Sequence, residues 1–495
     1  MMTKAQSNTT QAIWIGMGSI STFALAIISA AILSRYLSKI EYGTYRQILY
    51  IYSSLLVIFT AGLPKVFSYF LPRYTKSKGK DIVWRVTRVL FLLGLIFSTF
   101  LFLLSDFIAD VLNNPELKVG LKYFSPIPMF LLPTLGIEGI FSTYKQTIHI
   151  AIYNTISRFM MLLFIVLPVV IFDGSYLDAI KGWLIVSIIT LFIAFYFKSI
   201  PFKGINKESS DLSYKEILKY SFPLVLASLA GMAIKAADQF YISKYFGPEV
   251  FAEFANGFIE LPFVGMVTGA TSMILMPIFS KLIHDKSSTQ NIISLWRNAL
   301  LKSVYIIYPM VLFFISHAKE VVSILYSASY KDSAIYFQIA MVLNFFNIIL
   351  FAPLLLAMGK TKFYFTLHAI LAIATWCLGY IIIGVFNSPI AIAILSVSLA
   401  IIKVIIFMKY IANIFEIALL DLVPIRMIVS VVMHSLLLLW IINLLINYAE
   451  LDLSVVIKLL LEAILYSILL IGTGKAFRID YLNVVRPVLG KYIKI

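Results

Sequence analysis

Lys65, Glu138, Arg158, Lys235, Asp238 and Glu260 each interrupt a long apolar run of this sequence. An ionised group costs free energy in hydrocarbon, so such residues face an interior cavity or one another. Arg158 lies about ten residues into its run, about 15 Å deep at about 1.5 Å per residue, which is too deep for easy snorkelling. Its planar guanidinium stays charged and can clamp phosphate oxygens in pairs. The chemistry is then anion binding, unless Arg158 pairs with a carboxylate such as Glu138 only to tie helices together. Lys235 and Asp238 stand three apart on one helix face and could bind a ligand or pair with each other. Lys65 follows Gly62, Leu63 and Pro64, which loosen a helix, and is close enough to a boundary to snorkel. Glu138, Asp238 and Glu260 could carry coupling protons or sodium ions, or could serve as partners for Arg158 and Lys235. Tyr153, a turn and a half before Arg158, could stack on a sugar ring. His434 and Glu462 read as structural.

Other chemistries have no footing. There is no cluster of His, Cys and carboxylates with metal-ligand spacing, so no metal is expected. No Ser-His-Asp order or phosphate-cradling glycine loop is present, so neither an enzyme nor a bound cofactor is expected. The single Cys377 lies in an apolar run and reads as a buried structural thiol.

The elements that must position these residues follow from composition. Of 495 residues, 61% are hydrophobic and 13% charged, where a soluble chain carries about 25% charged. A spanning helix needs about 20 apolar residues. That criterion gives runs at 12–34, 46–71, 86–104, 121–142, 148–171, 177–197, 218–242, 253–280, 300–316, 334–357, 363–386, 389–411, 425–447 and 454–474. The expectation is therefore an all-α integral membrane protein with about fourteen transmembrane helices. Pro126, Pro128 and Pro133 should break the fourth run, and Pro353 should kink the tenth near its end. The first run is too long for a signal peptide and lacks a cleavage site, so it is kept as a span.

The net charge of +16 invites a nucleic-acid reading, but no soluble basic-aromatic module exists to carry one. With the N-terminus inside, the inner segments hold roughly 25 Lys and Arg against roughly 10 outside, the asymmetry of the positive-inside rule. Both termini are then cytoplasmic, and the excess charge meets anionic lipid headgroups.

One phrase occurs twice. Residues 33–45 read LSRYLSKIEYGTY and residues 242–254 read ISKYFGPEVFAEF, each at the outer end of a span. FSYFLPRY at 67–74 matches MPIFSKLI at 276–283, and STYKQT at 142–147 corresponds to AMGKTK at 357–362. Six spans separate the copies by the count above, which makes a parallel repeat about an axis along the membrane normal. The organisation expected is an N-lobe at 1–200, a cytoplasmic linker at 201–216, a C-lobe at 217–412, and a C-terminal helix pair with a basic tail at 413–495.

The loop LSRYLSKIEYGTYRQ, the stretch TAGLPKVFSYFLPRY and the run PLVLASLAGMAIKAADQFYISKYFGPEVFAEF resemble the polysaccharide-flippase branch of the multidrug/oligosaccharidyl-lipid/polysaccharide exporter superfamily, close to the Wzx-type O-antigen and capsule flippases. The resemblance runs to about residue 412 as two six-helix lobes plus two added helices. It implies lobes enclosing a cavity that opens alternately inward and outward. Through it an undecaprenyl-pyrophosphate-linked oligosaccharide repeat unit would cross a bacterial inner membrane, with a polymerase and a chain-length regulator acting on the product. In that family an acidic residue commonly stands at the position of Asp238 with a basic residue after it; here Gln239 follows. On this reading Arg158, Lys235 and Lys65 hold the pyrophosphate, and Glu138, Asp238 and Glu260 carry ions or pair charges. A cation-coupled drug exporter of the same superfamily is the alternative, and it would want an acid-dominated cavity.

Overall fold

A computed structural model describes residues 8–450 and 452–484; the ends of the polar lead and of the basic tail, both expected inside, lie outside the described residues. All regular structure among the described residues is helical. The chain divides into two compact units, one ending at Ala252 and the other beginning at Glu253.

The first unit holds α1 (Asn8–Tyr36), α2 (Lys39–Phe59), α3 (Pro64–Phe70), α4 (Lys76–Leu103), α5 (Ser105–Val111), α6 (Glu116–Phe124), α7 (Ile127–Leu131), α8 (Ile137–Thr143), α9 (Ile148–Ile171), α10 (Tyr176–Ser199) and most of α11 (Tyr214–Gly257). Ser38 caps α2, with Glu41 completing a capping box. The second and fourth expected spans are both broken. Ala61 and Gly62 take φ of +49° and +66°, so the helix breaks after α2 and resumes within the same span as α3 with Pro64 in its first turn. The proline-rich run splits into α6, α7, a short 3₁₀ turn and α8, and Gly136 at φ +88° starts the last piece. A Cβ on Gly136 would lie 2.2 Å from the Phe67 ring.

The two copies of the repeated phrase meet within this unit. The Gln47 amide donates to the Ser243 hydroxyl at 2.7 Å, and Tyr50 donates to the Ala236 carbonyl at 3.2 Å. Gly43 passes so close to Pro248 that a Cβ would lie 1.9 Å from its carbonyl oxygen.

The expected linker lies strapped along α4. Buried Asp81 accepts from the Ser210 amide at 3.0 Å and its hydroxyl at 2.9 Å, and pairs with Arg85 at 2.7 Å and Lys207 at 3.1 Å. Arg85 also donates to the Leu212 carbonyl, and Lys80 to that of Ile205. Lysines and arginines that read as a solvated cytoplasmic run thus satisfy backbone carbonyls of the strap.

The second unit holds α12 (Pro262–His284), α13 (Thr289–Ser316), α14 (Ala318–Tyr326), α15 (Ser333–Val342), α16 (Asn344–Asn347), α17 (Phe351–Ala357), α18 (Thr361–Phe386), α19 (Pro389–Phe415), α20 (Ile425–Tyr448) and α21 (Val455–Thr473). The break in the tenth expected span falls between α15 and α17, ahead of Pro353, because proline is tolerated in the first turn of the helix that follows. Cys377 on α18 is exposed, not buried as expected. Lipid tails are as apolar as a core, so an apolar run does not say which face is covered.

Among the described residues, eleven helices are long and apolar enough to cross a membrane, or up to twelve if a pair bent by 49° at the end of α11 is one span. The expected count of fourteen is not confirmed; a non-helical Gly247 at φ +78° inside α11 does separate the seventh expected run from the eighth. The chain is a multi-pass membrane protein.

Candidate functional site

Three of the expected intramembrane charges meet in the first unit. A cavity of about 660 Å³ is walled by α2, α3, α8, α9 and α10 and the turn before α8. Lys65, Glu138 and Arg158 all line it. The two chain breaks are what bring them there. The turn at Ala61 and Gly62 places Lys65 in the first turn of α3, and the turn at Gly136 places Glu138 in the first turn of α8. Arg158 comes from the uninterrupted α9, with Asn154 one turn earlier.

Glu138 accepts from the Asn154 amide at 3.2 Å. Arg158 makes no ion pair with Glu138 or any other described carboxylate; among the described residues its one polar contact is Nη1 to Met161 Sδ at 3.7 Å. Lys65 likewise makes no ion pair among the described residues. The side chains of all three are exposed to the cavity or its mouth. Two cations and one carboxylate, with the carboxylate held by a neutral amide, leave a positive balance.

Polar groups around the charges want partners. The Trp183 indole nitrogen and the Thr190 hydroxyl on α10 line the cavity, are buried, and have no hydrogen-bond partner among the described residues. Tyr52 and Tyr153 add aromatic surface to the same wall.

The other expected site residues are not in this lining. Lys235 is exposed on α11, whereas Asp238 is buried there and accepts from the Gln239 backbone N–H at 2.7 Å. Glu260 belongs to the second unit, in the break between α11 and α12.

Two residues of consequence escape a sequence reading. Asn154 is an unremarkable amide until its partner is known. Lys198, expected at the start of a cytoplasmic loop, is fully buried at the end of α10. Its ammonium donates to the Pro133 carbonyl at 2.7 Å and the Thr87 hydroxyl at 3.1 Å, 5.3 Å from the Phe67 ring centroid. It ties α4 and α10 to the broken fourth span beside the cavity.

A family model described as "Polysaccharide biosynthesis protein" matches residues 32–335, more than half of the chain. The chain belongs to this polysaccharide biosynthesis protein family. No curated protein matches the sequence. Among solved structures, the fold is similar to that of the lipid II flippase MurJ in an inward closed conformation, at TM-score 0.69 and 16% identity, covering 92% of this chain and 97% of that one. It is also similar to a point mutant of the Vibrio cholerae MATE transporter VcmN, at TM-score 0.58 and 13% identity, covering 83% and 97%. A transporter of the multidrug/oligosaccharidyl-lipid/polysaccharide superfamily from Pyrococcus furiosus, titled for the reversed polarity of its binding pocket, gives TM-score 0.56 at 12% identity, covering 82% and 95%. These likenesses place the family's all-helical chain in the fold of that superfamily.

Proposed function

We propose that this family member is a flippase for an undecaprenyl-pyrophosphate-linked oligosaccharide repeat unit, serving O-antigen, capsule or exopolysaccharide synthesis at a bacterial inner membrane. The observation that carries this reading is the cavity in which Arg158 and Lys65 face open space with no described carboxylate paired to either. A pyrophosphate cannot cross hydrocarbon bare, and a guanidinium with an ammonium supplies the charge-assisted donors it needs. The sugars meet the aromatic surface of Tyr52 and Tyr153. The polyprenyl tail needs no site, since it is at home in lipid.

Transport proceeds by alternating access of the two lobes read from the sequence, with no bond made or broken in the substrate. Lys235 is a third candidate for the pyrophosphate, and Glu138, Asp238 and Glu260 for coupling ions. A polymerase and a chain-length regulator would act on the flipped product. A drug exporter of the same superfamily would concentrate carboxylates for organic cations, and this cavity does the reverse. The solved structures similar in fold include both a lipid II flippase and a multidrug resistance MATE family transporter.

The test is leaflet sidedness of a lipid-linked oligosaccharide in proteoliposomes, comparing wild type with Arg158→Ala and Arg158→Lys. One charged hydrogen-bond pair is worth about 1.5–3 kcal/mol, so Arg158→Ala should slow flipping roughly tenfold to a hundredfold, with Arg158→Lys between. If wild type moves no glycolipid but expels an organic cation, the exporter reading replaces this one.

A further inference from the structure

A second cavity, of about 460 Å³, is walled by α13, α14, α20 and α21, all in the second unit. Of these helices α13, α20 and α21 are long and apolar enough to cross a membrane. The cavity lies at one end of those spans. Glu320 is in the first turn of α14, which follows α13, and Lys458 is in the first turn of α21, just past its cap Ser454. Asn443 is within two turns of the end of α20. The ends of spanning helices stand at the depth of lipid headgroups. Trp440, 61% exposed on α20, lines the same wall, as tryptophans do at a membrane interface.

The charges on this wall do not neutralise one another in the expected way. Lys458 stands four residues before Glu462 on α21, the spacing of a helical ion pair. The Glu462 carboxylate is instead 2.7 Å from Nε2 of His317. Glu320 and Lys458, both half-buried, make no ion pair with each other or with any further described residue. A carboxylate on α14 and an ammonium on α21 are thus held apart across one cavity, each short of part of its water. Much of the rest of the wall is apolar, including Leu436 and Leu439 on α20 and Leu459 on α21.

Opposite charges set apart on one wall complement a ligand that carries both. A lone phosphate would meet Glu320 as a like charge, and a lone organic cation would meet Lys458 in the same way. A phosphate ester joined by a short chain to a primary ammonium satisfies the two together through charge-assisted hydrogen bonds. We propose that this cavity binds the headgroup of one phosphatidylethanolamine molecule from the bilayer, Lys458 holding the phosphate and Glu320 the ammonium. The leucines lie alongside its hydrocarbon, and the volume is within the about 300–1,000 Å³ of small-ligand pockets. Bound there, the lipid bridges α14 to α21. This inference does not rest on the flippase reading, because a headgroup between these helices is held whatever the chain transports.

The test is native mass spectrometry of the full chain in detergent. It is titrated with dioleoyl-phosphatidylethanolamine, with dioleoyl-phosphatidylglycerol and with free phosphoethanolamine, the headgroup without its chains. Wild type should bind the ethanolamine lipid at least about tenfold more tightly than the glycerol lipid, which has no cation for Glu320. Free phosphoethanolamine should bind more weakly than the lipid by at least about a hundredfold, having no chains to bury. Glu320→Gln should weaken the ethanolamine lipid at least about tenfold and leave the glycerol lipid as tight or tighter, so that retained glycerol-lipid binding reports a folded variant. Lys458→Gln, a second and separate substitution, should weaken both lipids. Equal affinity of wild type for the two lipids, a preference that neither substitution moves, or free phosphoethanolamine binding as tightly as the lipid overturns the proposal.

Discussion

Glu138 on α8 is held by Asn154 on α9, its Oε1 accepting from the amide at 3.2 Å, and not by Arg158 one turn further along the same helix. The usual reason for an arginine inside a span is a carboxylate that neutralises it. Here a neutral amide takes the carboxylate, and the guanidinium charge is left to the cavity.

Replacing that amide by an acid should undo the arrangement. Asn154→Asp puts a carboxylate four residues before Arg158, the favoured helical order for an ion pair, worth about 0.2–0.5 kcal/mol on an exposed helix and more where water is scarce. It also sets two carboxylates together at Glu138. The cavity balance changes from net positive to neutral, and glycolipid flipping in proteoliposomes should fall at least about tenfold, further than for Asn154→Ala. If Asn154→Asp flips as fast as wild type, the positive balance has no part in transport.

The turn before α8 carries a second expectation. Gly136 sits at φ +88°, where an L side chain is strained, and a Cβ there would lie 2.2 Å from two carbons of the Phe67 ring. Gly136→Ala should therefore destabilise the protein by about 1–2 kcal/mol from backbone strain alone, with more from the displaced ring. The thermal midpoint in detergent should drop accordingly. Gly384→Ala, at a helical glycine with open space around its Cβ position, should leave it unchanged or raise it slightly. Equal midpoints for wild type and Gly136→Ala would mean that the turn is not set by that glycine.

Much of this was legible in the residues themselves, and the rest fails for physical reasons. Lys65, Glu138 and Arg158 stand out because charge in an apolar run is costly, and Gly62-Leu63-Pro64 and the proline cluster mark where the spans break. What a linear reading cannot supply is pairing. Whether Arg158 meets Glu138 depends on the turn at Gly136 and on which face of α9 carries Asn154. Lys198 reads as the start of an inside segment because it follows an apolar run, yet it is buried against Thr87, Phe67 and the broken fourth span at Pro133. The contact of His317 with Glu462 at 2.7 Å exists only because the fold brings α21 against it.

The tie made by Lys198 gives the last prediction. Its ammonium donates to the Pro133 carbonyl beside the chain break and to Thr87 on α4, and no described carboxylate pairs with it. Lys198→Met keeps most of the volume against Phe67 but leaves the carbonyl without this donor. An orphaned buried acceptor costs about 1–3 kcal/mol, partly offset because methionine needs no desolvation of an amine. Stability should fall within that range, whereas Lys198→Ala should fall by about 2–5 kcal/mol because it also opens a cavity. Chemical denaturation of the three proteins in the same detergent separates the terms. A Lys198→Met protein as stable as wild type would show that the donor contributes nothing net, and that only the packing of the side chain matters at the break.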